Sequence, residues 1–155
     1  MSDFASLRAA ISRPETTVEL CLRGDLFAAR ARLVRQLDDA AGDSLAGSVE
    51  AVGVKDALDS LDEQIKAATR EFTFTAVPRD VFVALEDEHK ANGVETIGRA
   101  FTAALVAASL TDPDLSTAEI GELMGLLSDG QAEVLETAAW EVNRETGHVP
   151  FSSSG

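Results

Sequence analysis

Two short segments of the chain alternate apolar and polar residues, which is typical of a strand with one buried face. They are residues 16–22 and 71–77. The side chains on the apolar side are Val18, Leu20 and Leu22 in the first segment and Phe72, Phe74 and Ala76 in the second. Two isolated strands would leave backbone N–H and C=O groups unpaired. We therefore expect the two segments to pair in one small sheet.

Between the two strands, apolar residues recur at helical spacing, first over residues 26–41 and again over residues 54–68. The repeating positions are Leu26, Leu33, Leu37 and Ala40, and then Val54, Leu58, Leu61, Ile65 and Ala68. The glycine-rich stretch Gly42–Gly53 separates them and is predicted to be a loop or a frayed connection. The sequence thus predicts a helical hairpin over about residues 25–69.

Residues 78–146 read as helical throughout. Pro78 suits a helix start, Thr96 can cap a second helix, and Asp112-Pro113 should end it. Two capping boxes, Ser116–Glu119 and Ser128–Gln131, should open the last two helices. The predicted inward positions are Val81, Phe82, Leu85, Ile97, Phe101, Ala104, Leu105, Ala108, Ile120, Leu123, Met124, Leu127, Val134, Leu135, Ala138, Ala139 and Val142.

The two ends of the chain complete the predicted organisation. Residues 3–12 can form a short helix with Phe4, Leu7 and Ile11 on one face. Residues 148–155 are predicted to be a flexible tail. The expected fold class is mainly α, a single domain over residues 1–147 in which a small two-stranded β element flanks an α-helical hairpin.

Charge is distributed unevenly along the 155 residues, whose net charge is −14. Residues 1–41 are neutral, and all of the excess negative charge lies beyond them. An acidic body repels nucleic acid, so no nucleic-acid partner is expected. The basic cluster, which comprises Arg23, Arg30, Arg32 and Arg35, fits a solvated helix face, with a nucleic-acid patch as the alternative.

Hydropathy and cysteine content favour a cytoplasmic protein. No apolar run reaches the length of about 20 residues that a membrane helix needs, so no membrane association is expected. The first twelve residues lack the pattern of a secretory signal. With Cys21 as the single cysteine, neither an internal disulfide framework nor a cysteine zinc site is predicted.

The sequence offers little catalytic chemistry. Nucleotide-binding glycine loops, nucleophile elbows and paired-histidine zinc motifs are absent from it. Cys21 lies in the middle of a predicted strand, His89 in an acidic helix end, and His148 at the start of the tail. We therefore expect no enzyme activity, no catalytic residues, no cofactor and no metal.

A partner surface is predicted instead on the helices of residues 96–145, because their apolar faces exceed what that half should bury. The residues chosen as partner-binding are Val106, Leu110, Met124 and Trp140. Alternatively these residues belong to the core or to a seam between identical copies. The single tryptophan, Trp140, is interpreted either as a core residue or as a partly exposed anchor for a partner.

The order of three segments resembles that of the tail assembly chaperones of long-tailed phages of actinobacteria. The segments are residues 17–26 (TVELCLRGDL), residues 95–110 (ETIGRAFTAALVAASL) followed by Asp112-Pro113 and the Ser116 capping box, and residues 138–143 (AAWEVN). The resemblance spans residues 15 to about 145. Thr96-Ile97-Gly98 stands where the family often has a proline-bearing start to the Ala-rich helix, and residues 78–95 match only loosely.

The resemblance implies a non-enzymatic protein that binds the tape measure protein, keeps it soluble and promotes assembly of the tail tube around it. It further implies action in the host cytoplasm during phage assembly and absence from the finished virion. Whether the chain also binds the tail tube protein or a second copy of itself is left open by the sequence. The alternatives are a small helical adaptor or regulatory binding protein, and a structural tail component. Tail tube proteins are largely β-sheet. Only two strands are predicted in this chain, which argues against a structural tail component.

Overall fold

The computed structural model describes residues 2–41, 45–91 and 98–145, and in these ranges it contains seven helices and three strands. The elements, in chain order, are α1 (Asp3–Ala10), β1 (Glu15–Cys21), α2 (Gly24–Ala41), α3 (Leu45–Ala67), β2 (Thr69–Thr75), α4 (Arg79–Ala91), α5 (Arg99–Ser109), β3 (Leu110–Asp112), α6 (Thr117–Leu126) and α7 (Asp129–Arg144). The predicted mainly α fold, with a small β element flanking a helical hairpin, is confirmed.

The sheet is antiparallel and has the order β1-β2-β3. The Ala76 N–H donates to the Pro14 carbonyl at 2.9 Å, and the Leu22 N–H donates to the Ala68 carbonyl at 3.0 Å, so the two bonds bracket the β1–β2 pair. Both predicted strands are present, within about two residues of the expected bounds. The strand β3 was not predicted, because three residues are too few to show alternation.

The chain divides into two compact units. The first takes the residues up to Val18, Phe72–Leu126 and the residues from Ala132 onward, and the second takes Glu19–Glu71 and Leu127–Gln131. The single domain expected over residues 1–147 stays a prediction.

The core of the first unit comes from β2 and from the inward faces of α5, α6 and α7. Its buried side chains are Phe72, Phe74, Ala76, Phe101, Leu105, Val106, Ser109, Leu110, Ile120, Ala132, Leu135, Ala138, Ala139 and Val142. Three positions of this unit that were expected to face inward are exposed instead, namely Val81, Ala108 and Val134, and so is Leu22, which directly follows β1. On α5, Val106 and Ser109 are buried whereas Ala108 is exposed, so the buried face of this helix is rotated from the expected stripe.

The second unit is built on the predicted helical hairpin. The helices α2 and α3 pack against each other, and their buried residues fall on the predicted stripes. These residues are Leu26 and Ala40 on α2 and Val54, Leu58 and Leu61 on α3. Arg30 Nε donates to Asp62 Oδ1 across the pair at 2.7 Å, with both side chains about half exposed. Such an exposed ion pair contributes little, so apolar packing holds the hairpin together.

The predicted loop Gly42–Gly53 is wrong from Leu45 onward. The helix α3 begins at Leu45, has 23 residues and includes Gly53, around which a Cβ would meet no atom within 4 Å. An isolated glycine in a helix costs only about 1 kcal/mol, and the neighbouring alanine, valine and glutamate residues tolerate a helix, so separated glycines do not break it. The first residues of that predicted loop, 42–44, lie outside the described residues.

Three other local predictions also fall outside the described residues. They are the helix cap at Thr96 with the inward position Ile97, the turn at Asn92-Gly93, and the tail over residues 148–155. The predicted helix start at Pro78 is confirmed, because the Phe82 N–H donates to the Pro78 carbonyl at 3.0 Å.

Both predicted capping boxes are present with reciprocal hydrogen bonds. The Glu119 N–H donates to Ser116 Oγ at 3.2 Å, and the Ser116 N–H donates to Glu119 Oε1 at 2.9 Å. Ser128 and Gln131 repeat the same two bonds at the start of α7. The backbone N–H of Ser116, and then its hydroxyl, hold the pKa of Glu119 below its usual value.

We expect Leu105→Ala to lower the free energy of unfolding by about 2–5 kcal/mol, because it leaves a cavity in the first unit's core. Leu105 is fully buried. The matched control is Leu126→Ala, whose leucine is 78% exposed on α6 and should change stability by no more than about 0.5 kcal/mol. Urea unfolding measures both values. Equal losses in the two variants would contradict this core.

We also expect the contribution of Glu119 to stability to depend on pH. Because folding lowers the pKa of this carboxyl group, its stabilisation is present above the unfolded-state pKa and is lost as the pH falls through the folded-state pKa. The Glu119→Gln variant keeps a capping box without a titratable group. As the pH falls, the urea midpoint of the wild type should therefore decrease relative to that of Glu119→Gln. An equal difference between the two midpoints at neutral and acidic pH would contradict this role of Glu119.

Candidate protein-binding surface

Two described residues that could carry chemistry, Cys21 and His89, each contact backbone carbonyl oxygens. Among the residues that the structure describes, no group of three or more His, Cys, Asp or Glu side chains could hold a metal ion. Cys21 is buried, with its Sγ 3.6 Å from the Arg23 carbonyl oxygen. His89 is half-buried, and its Nδ1 lies 2.7 Å from the Leu85 carbonyl oxygen one turn earlier. Each side chain is satisfied locally by the backbone.

An aromatic cluster joins α4, α5 and α7. The rings of Phe82 and Phe101 meet edge-on with centroids 5.6 Å apart, and Trp140 lies 5.5 Å from Phe101 and 6.4 Å from Phe82. The His89 ring stands perpendicular to Phe101 at 5.7 Å. Trp140 Nε1 donates to the Thr102 hydroxyl at 3.4 Å, which satisfies its one polar atom. These contacts make Trp140 part of the packing between helices, with one side still partly exposed.

The four residues predicted to bind a partner occupy two different environments. Val106 is fully buried and Leu110 is 8% exposed, so both belong to the core in this structure. Met124 and Trp140 are half-buried and keep some contact area at the surface. The structure therefore does not gather the four into one exposed patch, and a binding role for Met124 and Trp140 stays a prediction.

Sequence reasoning missed the part that Asn143 plays in the first unit. Its Oδ1 accepts from the Val77 N–H at 2.9 Å, and its Nδ2 donates to Ser109 Oγ at 2.8 Å and to the Ala139 carbonyl at 2.7 Å. One amide thus ties α7 to the chain before α4 and to the end of α5. The signal that was available is weak, because a single asparagine in an amphipathic helix usually reads as solvent-exposed.

A cleft of about 380 Å³ lies beside this amide. It is lined by Val77, Arg79, Phe82, Val83, Glu86, Asn143 and Arg144. The Arg144 guanidinium lies 5.9 Å from the Trp140 ring centroid, within the range of a cation–π contact. The lining mixes both signs of charge with aliphatic and aromatic surface.

An exposed apolar face lies on and just after α1. Phe4, Leu7 and Ile11, the residues predicted to share one side of this helix, are 72%, 65% and 70% exposed. No residue of α1 is buried. The Ser2 side chain caps the helix start by accepting from the Ala5 N–H at 3.2 Å, and Arg13 Nε donates to the Ala76 carbonyl at 2.7 Å just after the helix. The helix is therefore tethered at its end while its apolar side stays open.

The basic cluster predicted on α2 is engaged at two of its four arginines. Arg23 forms a two-bond contact with Asp25, through Nε at 3.0 Å and Nη2 at 2.8 Å, and Arg30 bonds to Asp62. The hydrogen bonds from the Arg23 guanidinium lower the pKa of Asp25. Both guanidinium groups are thus paired with carboxylates, which lowers the positive charge available to bind the phosphate backbone of a nucleic acid. This favours the predicted solvated helix face.

Across residues 2–41, 45–91 and 98–145, none of the helices combines the length and the hydropathy that crossing a bilayer requires. Searches against protein-family models, curated proteins and solved structures find no match to this chain. The likeness to tail assembly chaperones therefore stands on the residues quoted above alone.

We expect Trp140→Ala to lower the free energy of unfolding by about 2–4 kcal/mol, because it removes the ring that packs on Phe82 and Phe101. Val134→Ala, at an exposed position on the same helix, is the matched control and should cost less than about 1 kcal/mol. Far-UV circular dichroism during urea unfolding measures both variants. A Trp140→Ala variant as stable as the control would show that the aromatic cluster contributes no packing energy.

Proposed function

We propose that this chain is a phage tail assembly chaperone, a binding protein that holds the tape measure protein in solution while the tail tube assembles around it. The observation that carries the proposal is the open apolar face of Phe4, Leu7 and Ile11 on a short tethered helix. A contiguous exposed apolar patch on a folded protein is typical of a protein-binding surface. The order of segments that resembles the tail assembly chaperones supplies the identity of the partner.

The shape of the face suits a helical partner. Phe4 and Leu7 are three residues apart, which places them on one side of the helix, and Ile11 follows directly at its C-terminal cap. Two amphipathic helices associate by laying such stripes against each other, with the anchors one turn apart. A tape measure protein is long and helical with apolar stretches, so it offers many matching stripes.

The charge of the chain suits a role in solubility. The net charge of −14 lies entirely outside the first 41 residues, so an apolar helix near the N-terminus is paired with an acidic body. A large net charge keeps a protein and its complexes dispersed. An apolar segment that docks on α1 would thereby be carried by an acidic, well-hydrated domain. In this role the chain acts by binding, without a catalytic step.

The proposal is tested by co-expression with a candidate tape measure protein, which is a very long helical protein to be sought among the neighbouring genes. Wild-type chain should raise the soluble fraction of the tape measure protein and be captured with it. We expect the double substitution Phe4→Asp and Leu7→Asp to reduce capture at least about tenfold, which corresponds to two lost apolar anchors. Both residues are exposed, so the variant should unfold at the same urea concentration as wild type.

The matched control is Val49→Asp with Val52→Asp on α3, two apolar residues that are exposed to a similar degree. This control should leave capture unchanged. Equal capture by the α1 variant and the control, with both folded, would move the binding surface away from α1. A tape measure protein that is equally soluble with and without the chain would refute the chaperone function itself.

A further inference from the structure

We propose that the free edge of β1 binds an extended basic segment of another protein, which adds to the sheet as a fourth strand. This inference concerns a different surface from α1 and does not depend on the proposed function. It is carried by the register of the sheet, by the backbone groups that this register turns outward, and by the carboxylates beside them.

The register of β1 on β2 is the same from one end to the other. Pro14 is bonded to Ala76 and Leu22 to Ala68 through backbone groups. Midway between them, the hydroxyl oxygens of Thr17 and Thr73 lie 2.9 Å apart, as directly opposed residues should in this register. The ladder therefore has no bulge between Pro14 and Leu22.

This register decides which backbone groups point outward. In an antiparallel pair, alternate residues of one strand direct their N–H and C=O groups to the neighbouring strand. Because Pro14 and Leu22 face β2, Glu15, Thr17 and Glu19 face the opposite way. The strand β1 is at the edge of the sheet, and in the described part of the chain no hydrogen bond reaches these outward groups.

The outward edge has a defined end. The next outward carbonyl, that of Cys21, accepts a hydrogen bond from Gln131 Nε2 at 3.1 Å. The edge open to a partner therefore runs from Glu15 to Glu19, which is long enough to receive a five-residue segment. An open edge of this kind is a template for strand addition.

The side chains along the edge select for basic residues. Glu15, Thr17 and Glu19 are exposed and share one face of the strand, while Thr16 and Val18 on the other face are half-buried. A directly opposed residue lies within about 5 Å across an antiparallel pair, so lysine or arginine opposite each glutamate would be favourable. The complementary segment thus has basic residues at its first and fifth positions and β-branched residues at its second and fourth.

The same charges disfavour a second copy of this chain as the occupant. A two-fold antiparallel pairing of two β1 strands about Thr17 would place Glu15 of each copy opposite Glu19 of the other. Like charges in directly opposed positions destabilise a sheet. The net charge of −14 on each copy adds to this repulsion.

The test uses the full chain and a capped peptide of sequence Ser-Lys-Val-Thr-Val-Lys-Ser. The readouts are binding by calorimetry and amide hydrogen exchange by NMR. In the free protein, the Thr17 and Glu19 amides should exchange rapidly while the Val18 amide, which lies in the ladder, is protected. Saturating peptide should slow exchange at Thr17 and Glu19.

The decisive control is the same peptide with an N-methyl group on its central threonine. It keeps the charge and composition but loses the hydrogen bond at the centre of the added strand, so we expect binding at least about tenfold weaker. The double substitution Glu15→Lys and Glu19→Lys should weaken binding of the parent peptide several-fold. Thr17→Pro removes the outward backbone N–H of residue 17 and should block binding of the peptide. Thr17→Val keeps this N–H and should preserve binding.

Three outcomes would overturn the inference. Equal binding of the methylated and parent peptides would reduce the contact to charge attraction without an added strand. Absence of binding at millimolar peptide would show that the edge does not accept this segment. Protection of the Thr17 amide that rises with protein concentration, in the absence of peptide, would assign the edge to a second copy of the chain.

Discussion

The antiparallel pairing of β1 with β2 is the constraint on which the other elements depend. It joins backbone groups of Pro14 and Leu22 to those of Ala76 and Ala68, across more than forty residues of intervening chain. Closing so long a segment costs conformational entropy, which the ladder and the burial of Phe72 and Phe74 must offset. Because both ends of the α2–α3 hairpin leave from this ladder, the pairing sets where the hairpin begins and ends.

Polar side chains then fix how the helices of the first unit meet. The Asn143 amide satisfies groups from three places in the chain, and the Ser109 hydroxyl that it contacts is fully buried. In the described residues, every buried side-chain nitrogen and oxygen has a hydrogen-bond partner. A half-buried amide that bonds to three separate places in the chain specifies one arrangement of helices more sharply than apolar packing alone. The aromatic cluster around Trp140 fills the neighbouring space.

Two surfaces of the described structure are exposed, and each suits a different kind of partner. The apolar side of α1 exposes hydrophobic side chains to solvent. The outer edge of β1 exposes backbone N–H and C=O groups that form no hydrogen bond within the described part of the chain. The first suits a helical stripe and the second an extended basic segment. The cleft beside Asn143 combines charges of both signs with apolar walls, and nothing in its geometry selects one ligand.

Local pattern alone determined most of the elements. The alternation of Phe72 and Phe74, the heptad of Val54, Leu58 and Leu61, and the two capping boxes each rest on interactions within a few residues, so the sequence sufficed to place them. The extent of α3 was missed because the cost of each glycine is small against the cooperativity of a helix that packs on a neighbour.

Other features were decided only by tertiary structure. Burial of Val106 and Leu110, exposure of Ala108 and Val134, and the pairing of β3 depend on how the helices of the first unit rotate against the sheet. The spacing of Phe4, Leu7 and Ile11 predicted an apolar face, but only the assembled structure shows that this face is left uncovered. Periodicity reports which side of an element is apolar, whereas its partner is fixed by contacts between residues far apart in the chain.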